Sequence, residues 1–179
     1  MDSEVKIHDK VFVPYINENL LRNRILEIAE QMNQELRDAN PIFLAILNGS
    51  FFFAADLLRE LDFHCQISFV RVASYQGTQS TGEVKELLGI DENLEGRNVV
   101  VLEDIVDTGL TMQNIVEWVN QQEANQVKVA AMTVKREALT LDVPLHYVGF
   151  DVPNKFLVGY GLDYDQLGRN LKGIYQIKE

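Results

Sequence analysis

The chain of 179 residues is long enough for one domain with a full core. Its 46% hydrophobic and 24% charged residues are ordinary for a globular fold, and a formal net charge of −11 disfavours nonspecific binding to nucleic acid or to an anionic membrane. A single cysteine, Cys65, excludes an internal disulfide, and no apolar run approaches the roughly 18 residues that a membrane span needs. The first residues are polar and charged, without the apolar stretch of a secretory signal, so the expectation is a cytoplasmic protein.

Within residues 1–16, Val11-Phe12-Val13-Pro14-Tyr15 reads as an edge strand, because Pro14 lacks a ladder donor. From Asn17, a candidate N-cap, a helix is predicted to about Arg37, with Leu21, Ile25, Ile28, Met32 and Leu36 as its buried stripe. Asn40-Pro41 ends it. Ile42–Leu47 is a continuous apolar run, predicted as a strand buried on both faces. Asn48-Gly49-Ser50 turns it into a helix from Phe51 to Glu60. His64–Ala73 alternates, which predicts a half-buried strand with Cys65, Ile67 and Phe69 inward. Ser74–Gly82 is polar, holds two glycines and lacks periodicity, so it reads as a long loop of the kind that forms lids. Glu83–Leu88 reads as the returning strand and Leu94–Arg97 as a turn.

The most informative stretch is Asn98–Thr111, NVVVLEDIVDTGLT. Val99-Val100-Val101-Leu102 predicts a strand buried on both faces. Glu103 and Asp104 follow, and since neighbouring strand residues point to opposite faces, the strand is expected to stop there with both acids at its tip. Asp107-Thr108-Gly109-Leu110-Thr111 is a turn, and Met112, Ile115, Val116 and Val119 share one face of a helix from Leu110 to about Gln121. The first N–H groups of a helix are unpaired and partly positive, so a Thr-Gly-Thr turn before one can wrap a phosphate. Two carboxylates beside it can hold Mg²⁺ or a sugar diol. The combination suits a phosphorylated sugar.

Beyond it, Gln126–Lys135 reads as a buried strand with a basic tip, Lys135-Arg136, and Leu145–Phe150 as a shorter one. Asp151–Asn154 turns into Lys155–Tyr160, and the tail Leu162–Gln176 mixes Asp163, Asp165 and Arg169 with apolar residues. Alternating strands and helices predict an α/β fold with a mostly parallel sheet covered on both sides. One domain is expected over residues 1–179, its core at about 17–150 and a small hood lobe from about 1–16 and 151–179.

The string VVVLEDIVDTGLT closely resembles the phosphoribosyl-pyrophosphate (PRPP) motif of the type I phosphoribosyltransferases, in the form found in hypoxanthine-guanine phosphoribosyltransferases. Further stretches from about Ile42 to Arg169 match that family in the same order. The resemblance implies transfer of ribose 5-phosphate from PRPP to a purine, hypoxanthine or guanine, with Mg²⁺ and release of pyrophosphate. It implies that Glu103 and Asp104 hold the ribose hydroxyls and support the metal, that Asp107 is the general base near purine N7, and that Thr108, Gly109, Leu110 and Thr111 bind the 5′-phosphate. Leu47, Asn48 and Gly49 match the pyrophosphate loop, where the family often has a non-proline cis peptide, and Ser74-Tyr75 the signature of the lid. Lys135 matches the reader of the purine 6-oxo group, Phe156 the stacking aromatic and Leu157 the backbone that reads the base edge. Asp163 matches a water-mediated metal contact, and Arg169 a pyrophosphate contact. Two departures stand out: Asn48 and Leu110 each replace a common lysine. A homodimer or homotetramer is implied as well.

Each residue also has a plainer reading. Asp107 could be a helix N-cap, Lys135 a solvated strand-end charge, Phe156 ordinary core, and Arg169 one half of a surface ion pair. Cys65 reads as core, and His8, His64 and His146 lie too far apart in sequence to suggest a zinc site. The same fold could instead serve a nucleotide-sensing regulator that binds RNA or DNA, a reading the charge of −11 opposes, or a salvage enzyme for xanthine.

Overall fold

A computed structural model describes residues 3–72, 87–88, 90 and 92–178. The predicted lid Ser74–Gly82, with Ser74 and Tyr75, and the first part of the predicted strand Glu83–Leu88 lie outside these residues.

The larger sheet has six strands: β3 (Ile42–Leu47), β4 (Gln66–Val72), β5 (Leu87–Leu88), β6 (Asn98–Val106), β7 (Gln126–Val134) and β8 (Tyr147–Asp151). Their spatial order is β5-β4-β3-β6-β7-β8, and all neighbours run parallel except β4 and β5. Helices α1 (Glu18–Leu36) and α2 (Phe51–Arg59) pack on one face, over Phe43, Ala45, Val100 and Leu102. Helix α3 (Leu110–Gln121) covers the other, over Leu44, Val99 and Val101. This two-sided cover is why β3 and the first half of β6 are apolar without alternation. Helix α1 starts where the Asn17 side chain accepts the Leu20 N–H at 2.9 Å, and its predicted stripe is buried.

A second, antiparallel sheet is built from both chain ends: β1 (Val5–Ile7), β2 (Lys10–Ile16), β9 (Leu157–Val158) and β10 (Ile174–Ile177), in the order β1-β2-β10-β9. Here β2 is an inner strand, not an edge. Pro14 is tolerated because β1 reaches only to Val5 opposite Phe12, and the β10 register is irregular between Ile174 and Tyr175, opposite Pro14.

The predicted face of β4 is inverted. Ser68 and Val70 are buried, while Ile67 and Phe69 are 37% and 44% exposed. Alternation fixes the period of a strand, but which side is covered depends on where the helices lie. Helix α2 packs against β3 and β6 and α1 against β8, leaving that face of β4 open. The strand after α3 starts at Gln126 as predicted and ends at Val134, one residue before Lys135, whereas β8 begins at Tyr147 rather than Leu145. No described helix is long and apolar enough to cross a membrane.

Away from the carboxyl ends of the strands, the end of α1 is tied to the sheet by a polar cluster. Glu35 accepts from Lys128 Nζ at 2.8 Å, from Tyr147 Oη at 2.7 Å and from Gln31 at 2.8 Å. These hydrogen bonds, Lys128's first, lower the Glu35 carboxyl to about 2, while burial and the hydrogen bond to Glu35 push Tyr147 up to about 12. Because the folded pKa of Glu35 is depressed, its stabilisation is complete above the ordinary value of 4.5 and fades as the pH falls toward 2. Glu35→Gln is expected to cost roughly 1 kcal/mol at pH 7 after solvent screening, a fall in Tm of about 2–4 °C. Thermal melts across the acid range should show that difference closing as Glu35 protonates in the wild type.

Candidate active site

The site lies at the carboxyl ends of β3, β4, β6 and β7, where an open α/β sheet binds ligands. The central strand does not stop at the two acids. It runs on to Val106 and pairs with β7 through Val106–Val134. The ladder pairs Glu103 with Ala131 and Ile105 with Thr133, and at Asp104 a side chain replaces it: Thr133 Oγ1 donates to the Asp104 carbonyl at 2.8 Å. The acids thus fall on opposite faces. Glu103 is 7% exposed, and its Oε1 accepts the Asp104 N–H at 3.1 Å. Burial, and then the charge of Asp104, raise the Glu103 carboxyl well above the usual carboxylate range.

Asp104 is partly exposed, and its Oδ1 accepts the Ile105 N–H at 2.8 Å. Its carboxylate lies against the backbone of Gly49, so close that any Cβ there would overlap it. The peptide between Leu47 and Asn48 is cis, as the resemblance implied for the pyrophosphate loop. Gly161, at φ +100°, rests in turn on the Gly49 carbonyl, and a Cβ there would also clash. Asp104, Gly49 and Gly161 form a stack that joins β6, the Leu47–Gly49 loop and the tail.

Beyond β6, Gly109 adopts φ +88° and ψ −11°, the left-handed turn that admits glycine readily, and begins α3 with no side-chain cap. Asp107 is therefore not the N-cap. Thr108 Oγ1 is 3.4 Å from the Leu110 N–H, and the Thr108 carbonyl is held by the N–H and hydroxyl of Thr140 at 3.1 and 3.2 Å. Thr111 and Leu110 are exposed at the helix start. A hollow of about 150 Å³ is lined by Glu103, Asp104, Asp107, Thr108, Gly109 and Thr111. A larger hollow of about 410 Å³, between α1, α2 and the tail around Phe52 and Tyr160, contains none of the predicted site residues.

Lys135 follows β7 and is 8% exposed; its Nζ meets Asp107 Oδ2 at 2.7 Å. The two residues matched to purine chemistry thus face each other. Phe156 is 44% exposed just before β9, with Tyr164 packed edge-on to it at 5.6 Å between centroids and the Tyr164 hydroxyl donating to Asp9 at 2.7 Å. Leu157 lies in β9, an edge strand, so one row of its backbone groups faces no sheet partner among the described residues. Asp163 Oδ1 pairs with Arg169 Nη2 at 2.7 Å, and Arg169 Nη1 donates to the Gly161 carbonyl at 2.8 Å. Arg169 thus holds the 161–163 loop. One residue that the sequence reading passed over also reaches the site: Arg71 at the end of β4 donates from Nη2 to Asn48 Oδ1 at 3.0 Å. Its signal in the sequence was a cation at the end of a strand just before the predicted lid.

Comparison with known proteins gives the family. The sequence model of the phosphoribosyl transferase domain matches residues 17–165. A hypoxanthine-guanine phosphoribosyltransferase of Streptococcus agalactiae serotype V is 42% identical over 154 residues, 86% of each chain. Another, of Streptococcus pyogenes serotype M3, is 37% identical over 164 residues, 91% of each chain. A crystal structure of a hypoxanthine-guanine phosphoribosyltransferase from Bacillus anthracis, with a HEPES molecule in its active site, superposes with a TM-score of 0.85 at 33% identity, covering 98% of this chain and 99% of that one. On these matches the chain belongs to the phosphoribosyltransferase family, on its hypoxanthine-guanine branch.

Proposed function

We propose that the enzyme transfers the 5-phosphoribosyl group from PRPP to hypoxanthine or guanine, giving IMP or GMP and pyrophosphate. The observation that carries this reading is the meeting of Asp104, Gly49 and the uncapped start of α3 around one hollow. Backbone N–H groups and hydroxyls of Thr108–Thr111 bind the 5′-phosphate, while Glu103 and Asp104 accept from the ribose hydroxyls. The Leu47–Gly49 loop and Arg169 bind the pyrophosphate.

Two carboxylates suit Mg²⁺, which is commonly held by one or two of them together with substrate phosphates. Among the described residues no group of three His, Cys, Asp or Glu side chains forms an all-protein cage. Glu103 and Asp104 would hold the ion, with Asp163 contacting it through water, and its charge would stabilise the departing pyrophosphate. The C–O bond to pyrophosphate breaks as the C–N bond to the purine forms. Asp107 takes the proton near N7, and Lys135 donates to the 6-oxo oxygen. An amino group at that position would set donor against donor, which favours a 6-oxopurine over adenine. Phe156 stacks on the base, and the open backbone row at Leu157 reads its edge. In this reading the enzyme works in the cytoplasm as a homodimer or homotetramer.

Incubation with PRPP, Mg²⁺ and a panel of bases should give nucleotide from hypoxanthine or guanine and little from adenine. Absence of nucleotide from every base would end the reading.

A further inference from the structure

The cations at the carboxyl edge of the sheet are unequally committed. Lys135 pairs with Asp107, and Arg169 with Asp163. Arg71 meets no carboxylate among the described residues; its guanidinium donates to the amide oxygen of Asn48. The topology explains its position. In the parallel β3–β4 ladder Leu47 is opposite Arg71, so the guanidinium stands beside the first residue of the Leu47–Gly49 loop and reaches the next. A guanidinium has five donors, and Asn48 takes one, which leaves the others and the full charge for a ligand. In a chain with a net charge of −11, a cation that meets no carboxylate among the described residues, beside a loop read as binding a polyanion, is a specific arrangement.

We propose that Arg71 contacts the pyrophosphate of PRPP, with Asn48 holding its guanidinium toward the loop; this rests on the reading above. Asn48 has no charge of its own, but as an acceptor it positions one supplied by the neighbouring strand. The planar fork of arginine suits phosphate oxygens better than a mobile ammonium does. The common lysine at position 48 is thus replaced by a pair of residues rather than lost.

The test is the affinity for inorganic pyrophosphate with Mg²⁺, by calorimetry, in wild type, Arg71→Gln, Arg71→Lys and Asn48→Lys/Arg71→Gln. Arg71→Gln should weaken binding by roughly tenfold, the loss of one charge-assisted contact. Arg71→Lys should lose less, and the double variant should recover most of the affinity. The KM for PRPP should rise in Arg71→Gln while the KM for the base stays unchanged. Equal pyrophosphate affinity in wild type and Arg71→Gln, or an equal rise in both KM values, would overturn the proposal. Either result is distinct from failure of the wild type to make nucleotide, which would overturn the parent reading.

Discussion

Replacing Asp107 by Asn should lower turnover by roughly 10²-fold or more and leave the fold in place. The side chain is half exposed at the turn between β6 and α3, and an amide fills the same volume. Its oxygen can still accept from Lys135 Nζ, now 2.7 Å from the carboxylate. What disappears is the negative charge, and with it both the proposed proton acceptor and the counter-charge of a lysine that is 8% exposed. A modest drop in Tm is expected from the second loss, since the partner acid is only half buried. The first loss should appear in kcat for the base, with the KM for PRPP little changed. Unaltered turnover, measured beside a normal melt, would remove Asp107 from the proton transfer.

Gly49→Ala should be as damaging to activity, by a different route. The added methyl would occupy the space of the Asp104 carboxylate. That carboxylate ends a short side chain and can rotate away, so the chain should fold and melt close to the wild type. On the function proposed above, the displaced acid could no longer serve the sugar diol, and a misplacement of about 1 Å can cost about 10²-fold in rate. Gly161→Ala makes the contrast. Its methyl would meet the backbone carbonyl of Gly49, at a φ of +100° that disfavours any side chain, so it should reduce Tm as well as activity. Paired kcat/KM for PRPP and melting curves separate the two; a marked fall in the Tm of Gly49→Ala would show that Asp104 cannot yield.

Much of this architecture was legible in the chain. The unbroken apolar runs at Ile42–Leu47 and Val99–Leu102 predicted doubly covered parallel strands, and the Thr-Gly-Thr turn predicted the start of α3, because each depends on local residue chemistry. The errors arose where the answer lies with a neighbour. Whether β6 stops at its acids depends on Thr133, on another strand, which replaces the missing ladder contact at Asp104. Which face of β4 is buried depends on where α2 ends. The contact between Arg71 and Asn48 depends on strand register across 23 positions, which no local pattern encodes. The roles of Ser74 and Tyr75 fall outside the described residues.

The pairing of Lys135 with Asp107, and of Arg169 with Asp163, means that each of these cations carries its own counter-ion. On the function proposed above, an incoming purine would not meet bare charge; it would exchange partners with groups that already satisfy each other. Its affinity is then a difference between two sets of contacts, which sharpens discrimination between bases more than it strengthens the hold on any one of them.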